Sequence, residues 1–386
     1  MRHPVPTYSD HRMERGKLST VRVWRLPQHQ ARATRVVLRL GTLCLVSAVS
    51  AAMLSTALGT PAVASTAHVR GSLQLAPGTI FVANAGVDNG GTGTGSVTEF
   101  SATQTGNVHP VATLSRGLNG PYGLAFDASG DLWVANNLSN TLVEYQKSDL
   151  AKASPTPSVT ISSVPGDVLN SPAGIAFDSS GNLWVDNNSV DTVTEYTKAQ
   201  LTRSGAPVPR VTITNEALFG QAGPYGVAVD PSGDLWVEGS PNDLTDAFCE
   251  YPRAQLAKSG TPAPRATISP GYQLWDLTFD SSGNAWVPNF YGNTLVEYPE
   301  AVLAEGGSPR PKLTILSPSK DPTLLDNPAD LAFDHSGNLW LLNTGDQTLV
   351  EYTRAELTKS GSPMPVRIIA GSATGMNSAS YLAIEP

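Results

Sequence analysis

A unit that recurs five times in full constrains this chain more than any other feature. PYGLAFDASGDLWVANN begins at Pro121, PAGIAFDSSGNLWVDNN at Pro172, PYGVAVDPSGDLWVEGS at Pro224, LWDLTFDSSGNAWVPNF at Leu274 and PADLAFDHSGNLWLLNT at Pro328. Successive copies start 50 to 54 residues apart. Each copy continues into a second repeated segment, TLVEY before Gln146, TVTEY before Thr197, CEYP at Cys249, and TLVEY again before Pro299 and before Thr353. A linker of the form KAQLTRSGAPVPRVTI follows. A period of this length means one supersecondary unit that buries its apolar faces only by stacking on copies of itself.

Within the unit the apolar residues alternate or run in short blocks, and a 3.6-residue period is never sustained. GLAFD reads as strand one. Asp-x-Ser-Gly-Asn/Asp is a tight turn, in which the Asp side chain can accept from backbone amides and the Gly can take positive φ. LWVAN is strand two, TLVEY strand three, and the PSVTIS or PRVTIT segment strand four. KAQL or RAEL between strands three and four is long enough for about one helical turn, which SG and Pro then stop. The 35 Gly and 30 Pro of the 386 residues fit this turn-rich reading and exclude a helical bundle. Four antiparallel strands per repeat make a propeller blade.

The chain ends set the number of blades. GTIFVANAG from Gly78 matches strand two and SVTEF from Ser96 matches strand three, with no GLAFD before them. SYLAIEP, Ser380 to Pro386, matches strand one and has nothing after it. The C-terminal strand should therefore complete the N-terminal blade, which leaves no open edge. The expected fold is all-β, a six-bladed β-propeller over residues 78–386.

The recurring aliphatic or aromatic residue, Asp, turn, Gly, Asn/Asp, Leu, Trp and Val resembles the motif of the NHL-repeat and streptogramin lyase-like six-bladed propellers. It is also similar to the regucalcin and gluconolactonase propellers. The resemblance covers roughly residues 78–386 and implies architecture more than activity. Streptogramin lyase relatives are expected to use a rim histidine as base. Past the leader only His68, His109 and His335 remain, and none falls on the strand-one rim. A gluconolactonase-like metal site takes a Glu, an Asn and an Asp around the channel, and the family's Glu on the first inner strand has no clear match here.

Residues 1–39 carry nine Lys or Arg against Asp10 and Glu14, and Leu40 to Leu58 runs without a charge. This is the pattern of a signal peptide over residues 1–64, with cleavage expected after Ala62-Val63-Ala64 and a short linker at 65–77. The alternative is a retained membrane anchor, since nineteen apolar residues almost span a bilayer. Leu43 before Cys44 argues against lipidation. Without the leader, 16 Lys and Arg face 31 Asp and Glu, a net charge of about −15 that repels nucleic acid and anionic membranes. The expected product is a secreted monomer that meets an extracellular ligand, cell-wall polymer or protein, and no membrane once the leader is gone. Cys249 replaces a strand valine and reads as a core residue.

Site candidates come from the rim where strand one starts and strand two ends. An asparagine ends strand two in five blades (Asn84, Asn136, Asn187, Asn289, Asn343), with Gly239 in the sixth. A repeated residue points to a repeated, structural job, since Asn tolerates left-handed φ and bonds nearby backbone. Asp276 and Asp330 break the repeat at the start of strand one in neighbouring blades. With Glu238, Asn289 and Asn343 they form a hard-oxygen set suited to Ca²⁺ or Mg²⁺, the competing reading being two solvated loop carboxylates. Tyr122, Tyr225, Trp275, Phe290 and Tyr291 are the candidate ligand contacts on the same rim. Such tyrosines can instead wedge between blades. The glycine-rich Gly90 to Gly95 stretch joins two strands and opens no helix, so it is not a nucleotide loop. The residues favour a non-enzymatic binding scaffold; the alternative is a metal-dependent hydrolase or lyase on the same rim.

Overall fold

The computed structural model describes residues 75–86, 94–163, 168–215, 219, 223–239, 246–319, 321 and 324–386. The leader, residues 65–74 of the linker, and parts of the Gly90 to Gly95, Pro241 to Phe248 and Ser317 to Asn327 segments lie outside the described residues. No helix among the described residues is long and apolar enough to cross a membrane.

Six four-stranded antiparallel sheets make up the propeller. Blade one runs from the inside out through Ala379–Ile384, Ile80–Asn84, Ser96–Phe100 and Ala112–Leu114. Blade two is Pro121–Phe126, Leu132–Asn136, Thr141–Tyr145 and Val159–Ser162. Blade three is Pro172–Phe177, Leu183–Asn187, Thr192–Tyr196 and Val211–Thr214. Blade four is Val227–Val229, Leu235–Gly239, Ala247–Tyr251 and Ala266–Ile268. Blade five is Thr278–Phe279, Ala285–Asn289, Thr294–Tyr298 and Leu313–Leu316, and blade six is Pro328–Phe333, Leu339–Asn343, Thr348–Tyr352 and Arg367–Ile369.

Closure follows the sequence pattern. The C-terminal strand pairs antiparallel with Ile80–Asn84, in the register Ile80↔Ile384 through Ala83↔Tyr381. Glu385 extends the seam by accepting from Gly78 N–H (3.1 Å) and donating to Thr79 O (2.8 Å), and Lys147 of blade two reaches the buried Glu385 carboxylate.

The core is divided among six apolar clusters, one at each junction between neighbouring blades, including Ile80, Val82 and Leu382 against Trp340 and Leu342 where blades six and one meet. The repeated tryptophans belong to these junctions: Trp133 packs with Ile175, Val185 and Tyr196 of the next blade, its ring 6.3 Å from Phe177. Cys249 is buried among Val227, Val237 and Tyr251.

Two devices hold the unit together. In the Asp-x-Ser-Gly turn, Asp127 Oδ1 accepts from Ser129 N–H (2.8 Å) and Asp131 N–H (3.0 Å), while Gly130 sits at φ 79°, a left-handed conformation that costs a side chain strain. In blades one and three to six, a glycine between strands three and four clips onto the outer strand of the preceding blade. Gly205 bridges Ile161, and Ser204 Oγ accepts from Thr160 N–H at 3.0 Å. Equivalent bridges join Gly260, Gly307, Gly361 and Gly106 to the outer strands of blades three, four, five and six. These clips occupy backbone groups that an edge strand would otherwise offer to another chain.

Candidate functional site

The asparagine that ends strand two is a bracket. Asn136 Oδ1 accepts from Asn119 N–H (3.0 Å), and its amide donates to Gly117 O (2.8 Å) and Thr141 Oγ1 (3.1 Å). Asn84, Asn187 and Asn343 accept from Asn377, Asn170 and Asp326 N–H in the same way. Asn343 also donates to Leu324 O and Thr348 Oγ1, so its amide is committed to the loop and does not join a metal set. The bracket fails in blades four and five, where Gly239 has no side chain and Asn289 Oδ1 instead accepts from Gly292 N–H within its own turn (2.9 Å).

In these same two blades the predicted aromatics come together. Tyr225 stacks on Trp275 (centroids 6.4 Å apart, planes at 16°), and Trp275 stacks on Phe290 (4.8 Å, 1°). Tyr291 stands edge-on to Phe290 (5.0 Å, 82°) and is 64% exposed. Four of the five candidate ligand contacts therefore form one continuous row on the rim. Tyr122 does not belong to it, because its ring packs against Tyr381 (5.9 Å) across the junction of blades one and two.

Tyr381 itself was read only as the start of the last strand. Its hydroxyl donates to the carbonyl oxygen of Tyr225, in the blade that faces blade one across the ring, so the side chain forms a bar over the channel. Glycines at the start of the inner strands draw the blades in at the same level. A Cβ on Gly123 would lie 2.2 Å from Ala173 O, and one on Gly174 would lie 2.6 Å from Asp186 Oδ2. The channel therefore narrows at this rim, and its cavity of about 710 Å³ extends the other way, from Gly123, Asp276, Asp330 and Tyr381 to Ala128, Pro231, Ser281 and Pro386 beside the Asp-x-Ser-Gly turns. The rim that supplies the candidate residues is thus the narrow end of the cavity.

Asp276 and Asp330 come together as a buried pair. Burial holds Asp276 well above the usual carboxylate range, with the Asp330 charge adding to the effect. Asp330 is pushed up to about 7 by burial, against the pull of N–H groups from Leu382 (2.5 Å) and Leu331 (2.6 Å). Glu238 and Asp186 are buried behind them. Asp186 accepts from Ala173 N–H (3.1 Å) and Gly174 N–H (2.7 Å), and burial raises its acid well above the ordinary value. Glu238 accepts from Tyr225 N–H (3.1 Å) through Oε2 and leaves Oε1 buried without a partner. Burial first, then the Asp246 charge, raises it. These are the shifts that desolvated carboxyls beside like charges must show.

Among the described residues, the acidic trios close enough to share a cation are Asp127, Asp131, Glu144 and Asp230, Asp234, Glu250, both at Asp-x-Ser-Gly turns. Glu238 does not complete such a trio with Asp276 and Asp330. In the second trio Arg265 already bridges Glu250 and Asp234. Glu195, Glu297 and Glu351 pair likewise with Arg210, Lys312 and Arg367, which makes the repeated Glu of the EY segment a structural partner.

No family model matches the chain, and no curated protein does. Solved structures do. A chain of the crystal structure of a nidogen/laminin complex superposes with a TM-score of 0.54 at 14% identity, over 81% of this chain and 99% of that one. The likeness is one of fold. A protein of unknown function from Bacteroides caccae gives 0.52 at 12% identity, over 80% and 98%. A streptogramin B lyase gives 0.42 at 16%, over 66% and 70%. At 14% and 12% identity, the two superpositions above a TM-score of 0.5 speak for the fold alone.

Proposed function

We propose that this propeller is exported and binds a cell-wall polymer through the aromatic row on its rim, without catalysis. The observation that carries the reading is the row itself: Tyr225, Trp275, Phe290 and Tyr291 line up in adjacent blades, where the asparagine bracket is missing. Aromatic side chains contribute large, rigid contact area at little entropic cost, and Trp and Tyr dominate the energetics of binding surfaces. The acidic balance of the chain past residue 64 and the leader pattern support an extracellular site of action.

Co-sedimentation with insoluble cell-wall polysaccharide tests the binding. Wild-type protein should pellet with the polymer, while Trp275→Ala and Tyr291→Ala should remain in the supernatant. Tyr291 is exposed, so its removal leaves the fold intact, and equal pelleting of Tyr291→Ala and wild type would contradict the reading. The leader is tested by N-terminal sequencing of protein from the medium, which should begin at Ser65; full-length material in the membrane fraction would favour the anchor.

A further inference from the structure

We propose that the blind channel is a binding site for a small organic cation, a primary ammonium seated against Asp276 and Asp330 with its hydrocarbon body along the channel wall. The site lies on the far side of the Tyr381 bar from the aromatic row, so it stands independently of the function proposed above.

The cavity supplies the shape and the chemistry. Its volume of about 710 Å³ falls in the range of sites that enclose a drug-sized molecule. The floor offers two carboxyl groups. The wall between floor and mouth is made by inner-strand residues such as Leu124, Ile175, Val227, Leu277, Leu331 and Leu382. Asp127, Asp230 and Asp280 ring the mouth, and among the described residues no Lys, Arg or His lines the cavity. An anion entering would meet acids at both ends. A neutral apolar molecule would desolvate the lone pairs that the backbone N–H groups of Leu277, Leu331 and Leu382 leave unfilled on the floor carboxyls, and would bring no donor of its own.

A compact ammonium satisfies both demands, because its three N–H donors can bridge two neighbouring carboxylates while the rest of the molecule stays in apolar contact. A divalent metal is less well served. Ca²⁺ takes six to eight oxygens, and the pair has no third carboxylate within sharing distance among the described residues. Glu238, 1% exposed and with Oε1 unpartnered, interacts electrostatically with Asp276, as does the fully buried Asp186. Tyr122, Tyr225 and Tyr381, the other titratable groups packed around the floor, are neutral phenols whose ionisation burial opposes. Among the described residues no Lys, Arg or His lies against this floor, and the acidic mouth concentrates cations.

Isothermal titration of the purified full chain with n-hexylammonium chloride tests the proposal, with n-hexanol and sodium hexanoate as the neutral and anionic counterparts of the same length. Hexylammonium should bind saturably at one site, hexanol about tenfold or more weaker, and hexanoate not at all. Asp330→Asn and Asp276→Asn should each weaken hexylammonium about tenfold or more. Should either variant fail to fold, Thr278→Trp fills the channel without altering a carboxylate and should abolish binding. Three results would overturn the site: equal affinity for hexylammonium and hexanol, no saturable binding up to about 10 mM, or full affinity retained in Thr278→Trp. Saturable Ca²⁺ binding that excludes hexylammonium would also overturn it in favour of a metal centre.

Discussion

Removal of residues 379–386 tests how far the ring depends on its last strand. The deletion takes Tyr381 and Leu382, both buried, half-buried Ile384, and the whole inner edge of blade one. Burying a side chain of this size contributes about 1.5–3 kcal/mol, so these three residues alone carry about 4–8 kcal/mol. The loss also exposes the ladder groups of Ile80–Asn84 and takes the Leu382 N–H from Asp330. Set against a total stability of about 5–15 kcal/mol for a folded domain, the truncated chain should be unfolded or barely folded at 25 °C. Leu382→Ala gives the graded version, with an expected loss of about 2–4 kcal/mol from the cavity it leaves. Urea unfolding followed by tryptophan fluorescence reads both. A truncated chain whose midpoint matches the intact protein would refute the closure, because among the described residues only Ala379–Ile384 pairs with the inner side of Ile80–Asn84.

Other consequences are smaller and local. Arg265→Ala leaves the buried Glu250 carboxylate without its cation and should cost about 1–3 kcal/mol by urea unfolding, with Arg265→Lys recovering part of it. The raised acids set a pH dependence: a carboxyl that binds its proton more tightly in the folded state favours folding at low pH, and that contribution fades as pH rises from about 4 to about 7 for Asp330. Asp330→Asn should flatten the decline between pH 5 and 8, and an unchanged slope would remove Asp330 as its source. Burial pushes the Cys249 thiol up to about 11, so a thiol reagent should label it only in denaturant.

The fold was legible because each of its instructions is local. Asp127, Gly130 and Trp133 specify a turn and the strand after it within seven residues, and four further copies say the same thing. Even the closing strand could be found, since SYLAIEP is a strand-one sequence with no partner of its own. The aromatic row was legible in part as asymmetry against that background: Phe290 stands where the other copies carry a small or polar residue, and Trp275 where they carry Tyr, Ala or Ser.

The channel was not legible in this way. Whether a ring of strands leaves an open pore or a blind cavity depends on one contact, Tyr381 to Tyr225 O, between residues 156 positions apart. No spacing rule encodes a bond across the ring. The same limit explains the acids. Asp276 and Asp330 were expected together because their blades adjoin, but Asn343 was added by rim position alone, and rim position does not reveal that its amide is already occupied by Asp326, Leu324 and Thr348. The pairing of the repeated Glu with Arg or Lys about fifteen residues on was available in the sequence, and its absence in blade two, where Ser158 faces Glu144, was equally readable.

Hydrogen exchange of the protein with and without soluble cell-wall polysaccharide tests the central claim most directly. The account predicts slowed exchange confined to residues 223–226, 272–277 and 289–293, the segments that hold the aromatic row. Protection at the Asp-x-Ser-Gly turns instead, or none at a polymer concentration that saturates binding, would contradict it.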